Sequence, residues 1–403
     1  MKELHIKNSI HEKYLNNITI KGLSKKFKQS FKKINLDIED KNKTLNVLSK
    51  NFKFNLKVRD LKSFKKYKSV VIIGMGGSIL GAEAIYEFLG EKVKKTFYFF
   101  DDINLKKNRF FKKKKNINKV LFIIISKSGN TIETLSNFLS LNILKKNSKN
   151  IIVISEKNNN LLYLISKKFN LFYIEHKKNI GGRFSVLSEV GIVPAYLMGV
   201  NISKLRFNTL KYLRKKNFFI LKDSVVKLAN LLNSKKIKNI ILLNYAPELE
   251  KFLFWCQQLL AESLGKNNRG FLPMISSAPR DHHSLLQLYL DGPKDKLFYI
   301  FSAEDQSSDK IVIPKNLENI SFLHNKKLQV IKKAQKKALI KTFKNNNIPY
   351  REFAINDLNE NVIGELFSYF ILETILVADL TNVNPYDQPS VEQVKYLTNR
   401  ILS

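Results

Sequence analysis

Three hydroxyl side chains and a lysine stand together where an apolar run ends and a helical pattern begins. Ser126, Lys127, Ser128 and Thr131 lie in the stretch SKSGNTIET, directly after the apolar run at 119–125. In a parallel α/β sheet, such a strand-to-helix turn offers free backbone N–H groups and the positive end of the helix dipole. Because the hydroxyl groups add donors and the lysine adds a charge, the stretch predicts a phosphate site. The alternative is that Ser128 or Thr131 is a simple helix cap.

A glycine-rich turn, GMGGS, follows an earlier apolar run and places Ser78 at the start of a helix. A nicotinamide dinucleotide site is the obvious alternative, since Asp101 follows the next strand where a ribose-binding acid would lie. The dinucleotide fingerprint, however, needs a glycine three residues after Gly76, and Ile79 occupies that position. Two neighbouring hydroxyl-lined turns therefore favour one small sugar phosphate over a long cofactor.

The elements around these turns repeat a strand, loop and helix pattern. Apolar runs predict strands at 69–73, 96–100, 119–125, 150–154, 238–244, 271–275, 296–302 and 350–355. Helical spacing of apolar residues predicts helices near 131–147, 158–169, 204–234, 248–264, 283–290, 325–346, 360–380 and 390–402. This alternation predicts the α/β class, with two doubly wound parallel sheets in tandem.

The predicted organisation has four parts. They are a helical N-terminal lead-in (1–65), a first α/β domain with the phosphate-binding turns (66–195), a second α/β domain (196–358) and a C-terminal helical segment (359–403). We place the seam between the two sheets near 185–205.

Composition restricts the class of protein. Of 403 residues, 44% are hydrophobic and 26% charged, as in ordinary globular proteins. The N-terminal stretch lacks the apolar core of a signal peptide, and the apolar runs are shorter than the ~20 residues of a membrane span. One cysteine, Cys256, excludes internal disulfides and multi-cysteine metal sites. We therefore expect a cytoplasmic protein without a membrane partner.

The net charge of +36 comes from 70 Lys and Arg against 34 Asp and Glu. Nucleic acid is a tempting partner, but the lysines are scattered along the chain. No nucleic-acid-binding motif and no arginine interleaved with stacking aromatics accompany them. We expect a solvated basic surface that attracts anionic substrates and does not bind nucleic acid.

Six motifs, in order, resemble those of glucose-6-phosphate isomerases, whose two domains have the sugar-isomerase (SIS) fold. They are GMGGS, SKSGNTIET, GGRFS, QQLLAESLGK, HHSLLQ and YDQPSVEQVK, and they span from about residue 65 to the C-terminus. The resemblance implies an aldose–ketose isomerase of glycolysis and gluconeogenesis that interconverts glucose 6-phosphate and fructose 6-phosphate. Such an enzyme moves a proton through an enediol or enediolate and uses no metal or organic cofactor.

The resemblance also implies four catalytic residues. Glu262 matches the family's carbon base, and Arg183 matches the arginine that faces the enediolate. His283 matches the ring-opening histidine, and Lys395 the lysine that assists ring opening. Taken without the family, Glu262 could be a surface acid, Arg183 a structural ion-pair partner and Lys395 a solvated lysine.

Because two histidines are adjacent, the ring-opening histidine is assigned from its spacing to neighbouring motif residues. The family places its histidine directly before a small residue and four positions before a glutamine, so Gln287 selects His283. His282 then takes the place of a family glutamine, and Ala278 and Pro279 stand near the places of a glycine and a threonine. A metal-binding histidine pair is the alternative, but no companion carboxylate lies at metal spacing.

Substrate contacts in the same pattern fall on eight further positions. They are Gly77, Ser78, Ser126, Lys127, Ser128, Thr131, Gln258 and Gln388. Ser128 stands where threonine is commoner, and Ser390 replaces a glycine. Family members are dimers whose histidine comes from the partner subunit, so we expect a homodimer with shared active sites.

Two other functions stay open at this level. A bifunctional enzyme would also accept mannose 6-phosphate, and sequence does not separate it from a strict glucose enzyme. A non-catalytic SIS protein would only sense sugar phosphates, although retention of all four catalytic residues speaks against it.

Overall fold

The computed structural model describes residues 3–113, 116–304, 309–314 and 318–402. Within these residues two five-stranded sheets are separated by helices. The strands are β1 (Leu4–Ser9), β2 (Ser69–Ile73), β3 (Thr96–Phe100), β4 (Val120–Ile125), β5 (Ile151–Ser155), β6 (Phe172–Glu175), β7 (Asn239–Asn244), β8 (Leu272–Ser277), β9 (Lys296–Ala303) and β10 (Tyr350–Ile355).

The first sheet has the order β3-β2-β4-β5-β6 and is parallel throughout. Its central strand β4 is Val-Leu-Phe-Ile-Ile-Ile, and all six residues are buried, as expected for a strand covered on both faces. The helices between its strands are α2 (Leu80–Phe88), α3 (Leu105–Lys112), α4 (Ile132–Ser140) and α5 (Leu161–Lys168). The predicted parallel sheet is confirmed.

One helix end in this half was predicted wrongly, and one strand was not predicted. The helix predicted near 131–147 ends at Ser140, because Asn142 adopts a φ of 52°, a left-handed conformation that terminates helices. The predicted helix near 158–169 ends at Lys168, and the short strand β6 that follows it was not predicted.

The second sheet has the order β1-β10-β9-β7-β8. Four strands are parallel, and β1 pairs antiparallel with β10, from Leu4 opposite Ile355 to Ser9 opposite Tyr350. The N-terminal stretch, for which the sequence predicts mostly helix, therefore contributes an edge strand before α1 (Asn17–Glu39) begins.

Helices connect and cover the second sheet. The stretch predicted as helical at 204–234 is divided between two helices, Ile202–Phe207 and Lys215–Ser234. The helices are α6 (Glu189–Met198), α7 (Ile202–Phe207), α8 (Lys215–Ser234), α9 (Glu250–Leu264), α10 (Leu286–Asp291), α11 (Leu328–Asn345), α12 (Glu360–Leu380) and α13 (Glu392–Leu402).

The last two helices have opposite surroundings. Helix α12 is long and apolar enough to span a membrane by length and composition, but 94% of that stretch is buried inside the protein. It packs on α7, α8, α1 and α9 as a core helix. Helix α13 has no buried residue.

Candidate active site

The hydroxyl groups of the phosphate-site turn face one another. Ser126 is 2% exposed, and its Oγ lies 2.8 Å from Thr131 Oγ1 and accepts the N–H of Gly129 at 3.1 Å. Thr131 occupies the N-cap position of α4, yet its side chain accepts no helix N–H. Ser128 is exposed, with its Oγ 3.5 Å from Thr131 Oγ1. A simple helix cap does not account for this arrangement, whereas an anion at the helix N-terminus would engage the same groups.

Lys127 supplies the positive charge of this turn. Its Nζ lies 3.7 Å from Glu156 Oε1, and its side chain is 33% exposed. Burial lowers the pKa of Lys127, the carboxylate of Glu156 opposes that change, and the nearby charge of Arg183 lowers the pKa further. His176 is buried close by, and burial lowers its pKa to about 4, so its ring is neutral near pH 7. The ammonium group of the turn is therefore paired with Glu156 and feels the charge of Arg183.

The GMGGS turn leaves the sheet beside the phosphate-site turn. A Cβ built on Gly74 would lie 3.0 Å from the carbonyl oxygen of Ile125, the last residue of β4. Ser78 closes this turn, with its N–H bonded to the carbonyl of Met75 at 3.1 Å, and it is 9% exposed. The two turns that the sequence singled out are thus neighbours.

The same glycine turn is in backbone contact with the GGRFS segment. A Cβ on Gly77 would lie 2.2 Å from the carbonyl carbon of Gly182 and 2.5 Å from the amide nitrogen of Arg183. Gly76 adopts a φ of +52°, and a Cβ there would lie 2.6 Å from Gln258 Nε2. Only glycine allows both approaches. The first sheet thereby meets α9 of the second half.

Arg183 and Glu262 form the centre of the site. The Arg183 side chain is 2% exposed, and its Nη1 donates to Glu262 Oε2 at 3.0 Å and to Gln388 Oε1 at 2.7 Å. Its Nε donates to the buried Ser263 Oγ at 2.9 Å. Gln258 Nε2 donates to the other carboxylate oxygen, Glu262 Oε1, at 2.9 Å. Both carboxylate oxygens are fixed, yet 31% of the Glu262 side chain is exposed, so a ligand can reach it.

Two cations hold the segment that leads to α13. Arg183 Nη2 donates to the carbonyl of Asp387 at 3.0 Å and to that of Pro385. Lys266 Nζ donates to Asp387 Oδ1 at 2.6 Å, to its carbonyl at 2.7 Å and to the carbonyl of Asn384. These bonds place Gln388 next to the carboxylate of Glu262. Burial lowers the pKa of Arg183, although the carboxylate of Glu262 opposes this change.

The histidine motif lies elsewhere. His283 is exposed in the turn that follows β8. His282 Nε2 lies 2.9 Å from the hydroxyl of Tyr245, and burial lowers the pKa of this ring. In the part of the chain that the structure describes, no hydrogen bond or ion pair joins His283 to Arg183 or Glu262. Nor does any group of three or more His, Cys, Asp or Glu side chains there suit a metal ion.

Lys395 is also outside the network. Its Nζ pairs with Glu392 Oε1 at 2.7 Å on the surface of α13. Large apolar side chains of the same helix are exposed, including Val394 (66%), Tyr396 (65%) and Ile401 (82%). The structure thus brings together the groups at Arg183 and Glu262 within one chain and leaves the two ring-opening candidates on the surface.

Several contacts were missed by sequence reasoning. Glu156 pairs with Lys127, Ser263 and the backbone of Asp387 hold Arg183, and Lys266 anchors the C-terminal segment. Lys266 lies inside the motif QQLLAESLGK, which could have drawn attention to it. Glu156 belongs to no motif, so only its position in space reveals it.

Comparisons with known proteins show which proteins this chain is similar to. A sequence model described as Phosphoglucose isomerase matches residues 28–270. A glucose-6-phosphate isomerase of Methanocaldococcus jannaschii is 33% identical over 353 residues, covering 85% of this chain and 86% of that protein. One of Campylobacter jejuni is 32% identical over 374 residues, covering 89% and 90%.

Solved structures show the same fold. The structure of a hypothetical protein from Thermus thermophilus matches with a TM-score of 0.84 at 22% identity, covering 99% of this chain and 100% of that one. A glucose-6-phosphate isomerase from Chlamydia trachomatis matches with a TM-score of 0.78 at 15% identity, covering 100% and 89%. The predicted α/β class, with two parallel-sheet SIS domains, is confirmed.

Proposed function

Because this chain belongs to the phosphoglucose isomerase family, we propose that the site around Arg183 and Glu262 interconverts glucose 6-phosphate and fructose 6-phosphate. The observation that carries the proposal is a carboxylate whose two oxygens are held at 3.0 and 2.9 Å while 31% of its side chain stays exposed. A base for carbon must be both oriented and reachable.

The chemistry follows from the positions of the groups. The turn with Ser126, Lys127 and Thr131 binds the phosphate at the N-terminus of α4. Glu262 removes the proton from C2 of the open-chain aldose, and the electron pair resides on the oxygens of the enediolate. The hydroxyl proton moves from O2 to O1, and Glu262 returns its proton to C1 to give the ketose. Arg183 stabilises that charge from a buried position, where its electrostatic effect is large. Proton transfer between adjacent carbons then needs neither a metal nor an organic cofactor.

Ring opening involves a second subunit in our proposal. His283 is exposed at the end of β8, and Lys395 lies on a helix whose apolar side chains are exposed. Exposed apolar patches commonly mark protein interfaces. A homodimer that buries α13 and inserts His283 beside the partner's carboxylate would complete each site. We propose a cytoplasmic glycolytic enzyme with this assembly.

A direct test measures turnover of fructose 6-phosphate in an assay coupled to glucose-6-phosphate oxidation. Turnover supports the proposal, and no turnover by folded protein contradicts it. Mannose 6-phosphate, tested in parallel, would extend the substrate range if its turnover were comparable.

The shared site is tested by co-expressing Glu262→Gln with His283→Ala. If His283 serves the partner's site, each mixed dimer keeps one intact site, and about a quarter of wild-type activity returns under random pairing. Each variant expressed alone is the control. If His283 acts within its own chain, every site carries a defect and activity does not return.

A further inference from the structure

The phosphate-binding lysine already has an anionic partner. Glu156 follows β5, and its side chain, 16% exposed, presents Oε1 to Lys127 Nζ at 3.7 Å. Its other oxygen, Oε2, accepts from Asn158 Nδ2 at 3.3 Å. Its backbone N–H donates to the carbonyl of Lys127 at 3.0 Å. The carboxylate therefore stands at a fixed place beside the ammonium group.

The segment that carries Glu156 is packed against the phosphate-site turn. Asn160 Nδ2 donates to the carbonyl of Glu156 at 2.7 Å, and a Cβ on Gly129 would lie 1.8 Å from Asn160 Oδ1. Asn130 Oδ1 accepts the N–H of Leu161 at 2.9 Å. Because these contacts join the two turns, the fold fixes the position of Glu156 next to Lys127.

We propose that Glu156 is a positioning residue that sets phosphate affinity, an inference that rests on the proposed function of the turn. It pairs with the Lys127 ammonium in the free enzyme, and it competes with the substrate's phosphate for that ammonium. The carboxylate also repels the dianion across a partly buried space, where charges interact more strongly than in bulk water. The phosphate group is therefore bound less tightly than it would be by the donors of the turn without Glu156. The product dissociates sooner as a result.

The test is Glu156→Gln, which removes the charge and keeps the shape. Titration with inorganic phosphate, followed by calorimetry, should give a dissociation constant roughly three- to tenfold lower than in wild type. The KM for fructose 6-phosphate should fall in step, while kcat does not rise. A purely structural residue would instead weaken phosphate binding on substitution. Unchanged or weaker phosphate binding would overturn the inference.

Three controls isolate the competition. Glu175→Gln makes the same charge change at the exposed end of the neighbouring strand β6 and should leave phosphate affinity unchanged. Glu156→Asp keeps the charge and should stay near wild type. In a Lys127→Ala background, Glu156→Gln should lose most of its effect; a full effect there would contradict competition for Lys127.

Folding and turnover are separated by design. If Glu156→Gln does not fold, Glu156→Ala is the second charge-removing variant, and failure of both to fold would show a structural residue and overturn the inference. Phosphate binding requires no catalysis, so absent turnover would refute only the proposed function. Normal turnover with unmoved phosphate affinity would refute only the role of Glu156.

Discussion

Among the residues that the structure describes, two pairs of arginine and glutamate have a buried arginine, and they differ in how far solvent reaches the glutamate. Arg351 on β10 binds Glu373 on α12 through two hydrogen bonds, of 2.6 and 3.0 Å, and the two side chains are 1% and 0% exposed. The hydroxyl groups of Tyr299 and Tyr369 each accept from the guanidinium at 2.7 Å. Burial alone would lower the pKa of Arg351, but the charge of Glu373 raises it well above its usual value.

The pair of Arg183 and Glu262 is open on one side. The arginine is just as buried, at 2%, but a single 3.0 Å bond joins it to a carboxylate that is 31% exposed. Its other bonds go to Ser263, Gln388 and two backbone carbonyls. Similar residue types thus serve two purposes: the closed pair fixes the packing of β10 on α12, and the open pair keeps a positioned carboxylate available to a ligand.

The largest expected effect comes from Glu262→Gln. The amide keeps the shape but not the basicity, so kcat should fall by about 10²- to 10⁴-fold with little change in thermal stability. The coupled fructose 6-phosphate assay and a melting curve measure the two quantities. Glu250→Gln, at the start of the same helix α9, is the matched control. Unimpaired turnover in Glu262→Gln would remove this residue from the mechanism.

The corresponding change of glutamate to glutamine in the closed pair should lower stability and spare kcat, the reverse of what we expect for Glu262→Gln. Glu373→Gln leaves the charge of Arg351 buried without compensation, which costs about 3–5 kcal/mol of the free energy of unfolding. Denaturant titration measures this loss, and kcat of the folded fraction should be nearly unchanged. A loss below about 1 kcal/mol would mean that the network adapts and that the contrast between the pairs is false.

A smaller effect is expected when the arginine is changed and its charge is kept. Arg183→Lys loses the planar fork that contacts the carboxylate and the C-terminal segment together, so kcat should fall roughly 10- to 100-fold. Arg351→Lys is the counterpart, which should lower stability and spare kcat. If Arg183→Lys keeps full kcat, the guanidinium serves only to anchor the segment before α13.

Much of the fold could be predicted because the central parallel strands β2, β4, β5 and β7 are short runs rich in Val, Ile and Leu. Strand β1 escaped prediction because its partner β10 lies far along the chain, from Leu4 opposite Ile355, and nothing local marks the pairing. The end of α4 escaped it because a single asparagine, Asn142, takes a left-handed conformation. Long-range pairing and single backbone angles are therefore where sequence patterns fell short.

The candidate site, like the fold, could be predicted only in part from the sequence. Arg183, Glu262, Gln258 and Gln388 come from three motifs, and the structure joins them through hydrogen bonds. Their roles in the reaction stay predictions, as do those of His283 and Lys395. Glu156 could not be predicted, since its meaning depends on β4 and β5 being neighbours.

The contact of Gly77 with Gly182 bears on the length of substrate that the proposed active site accepts. With no side chain on either residue, backbone contact alone sets the spacing between the glycine turn and the segment that carries Arg183, the partner of the proposed base Glu262. A sugar one carbon shorter, seated by its phosphate, would hold its carbonyl end short of the base.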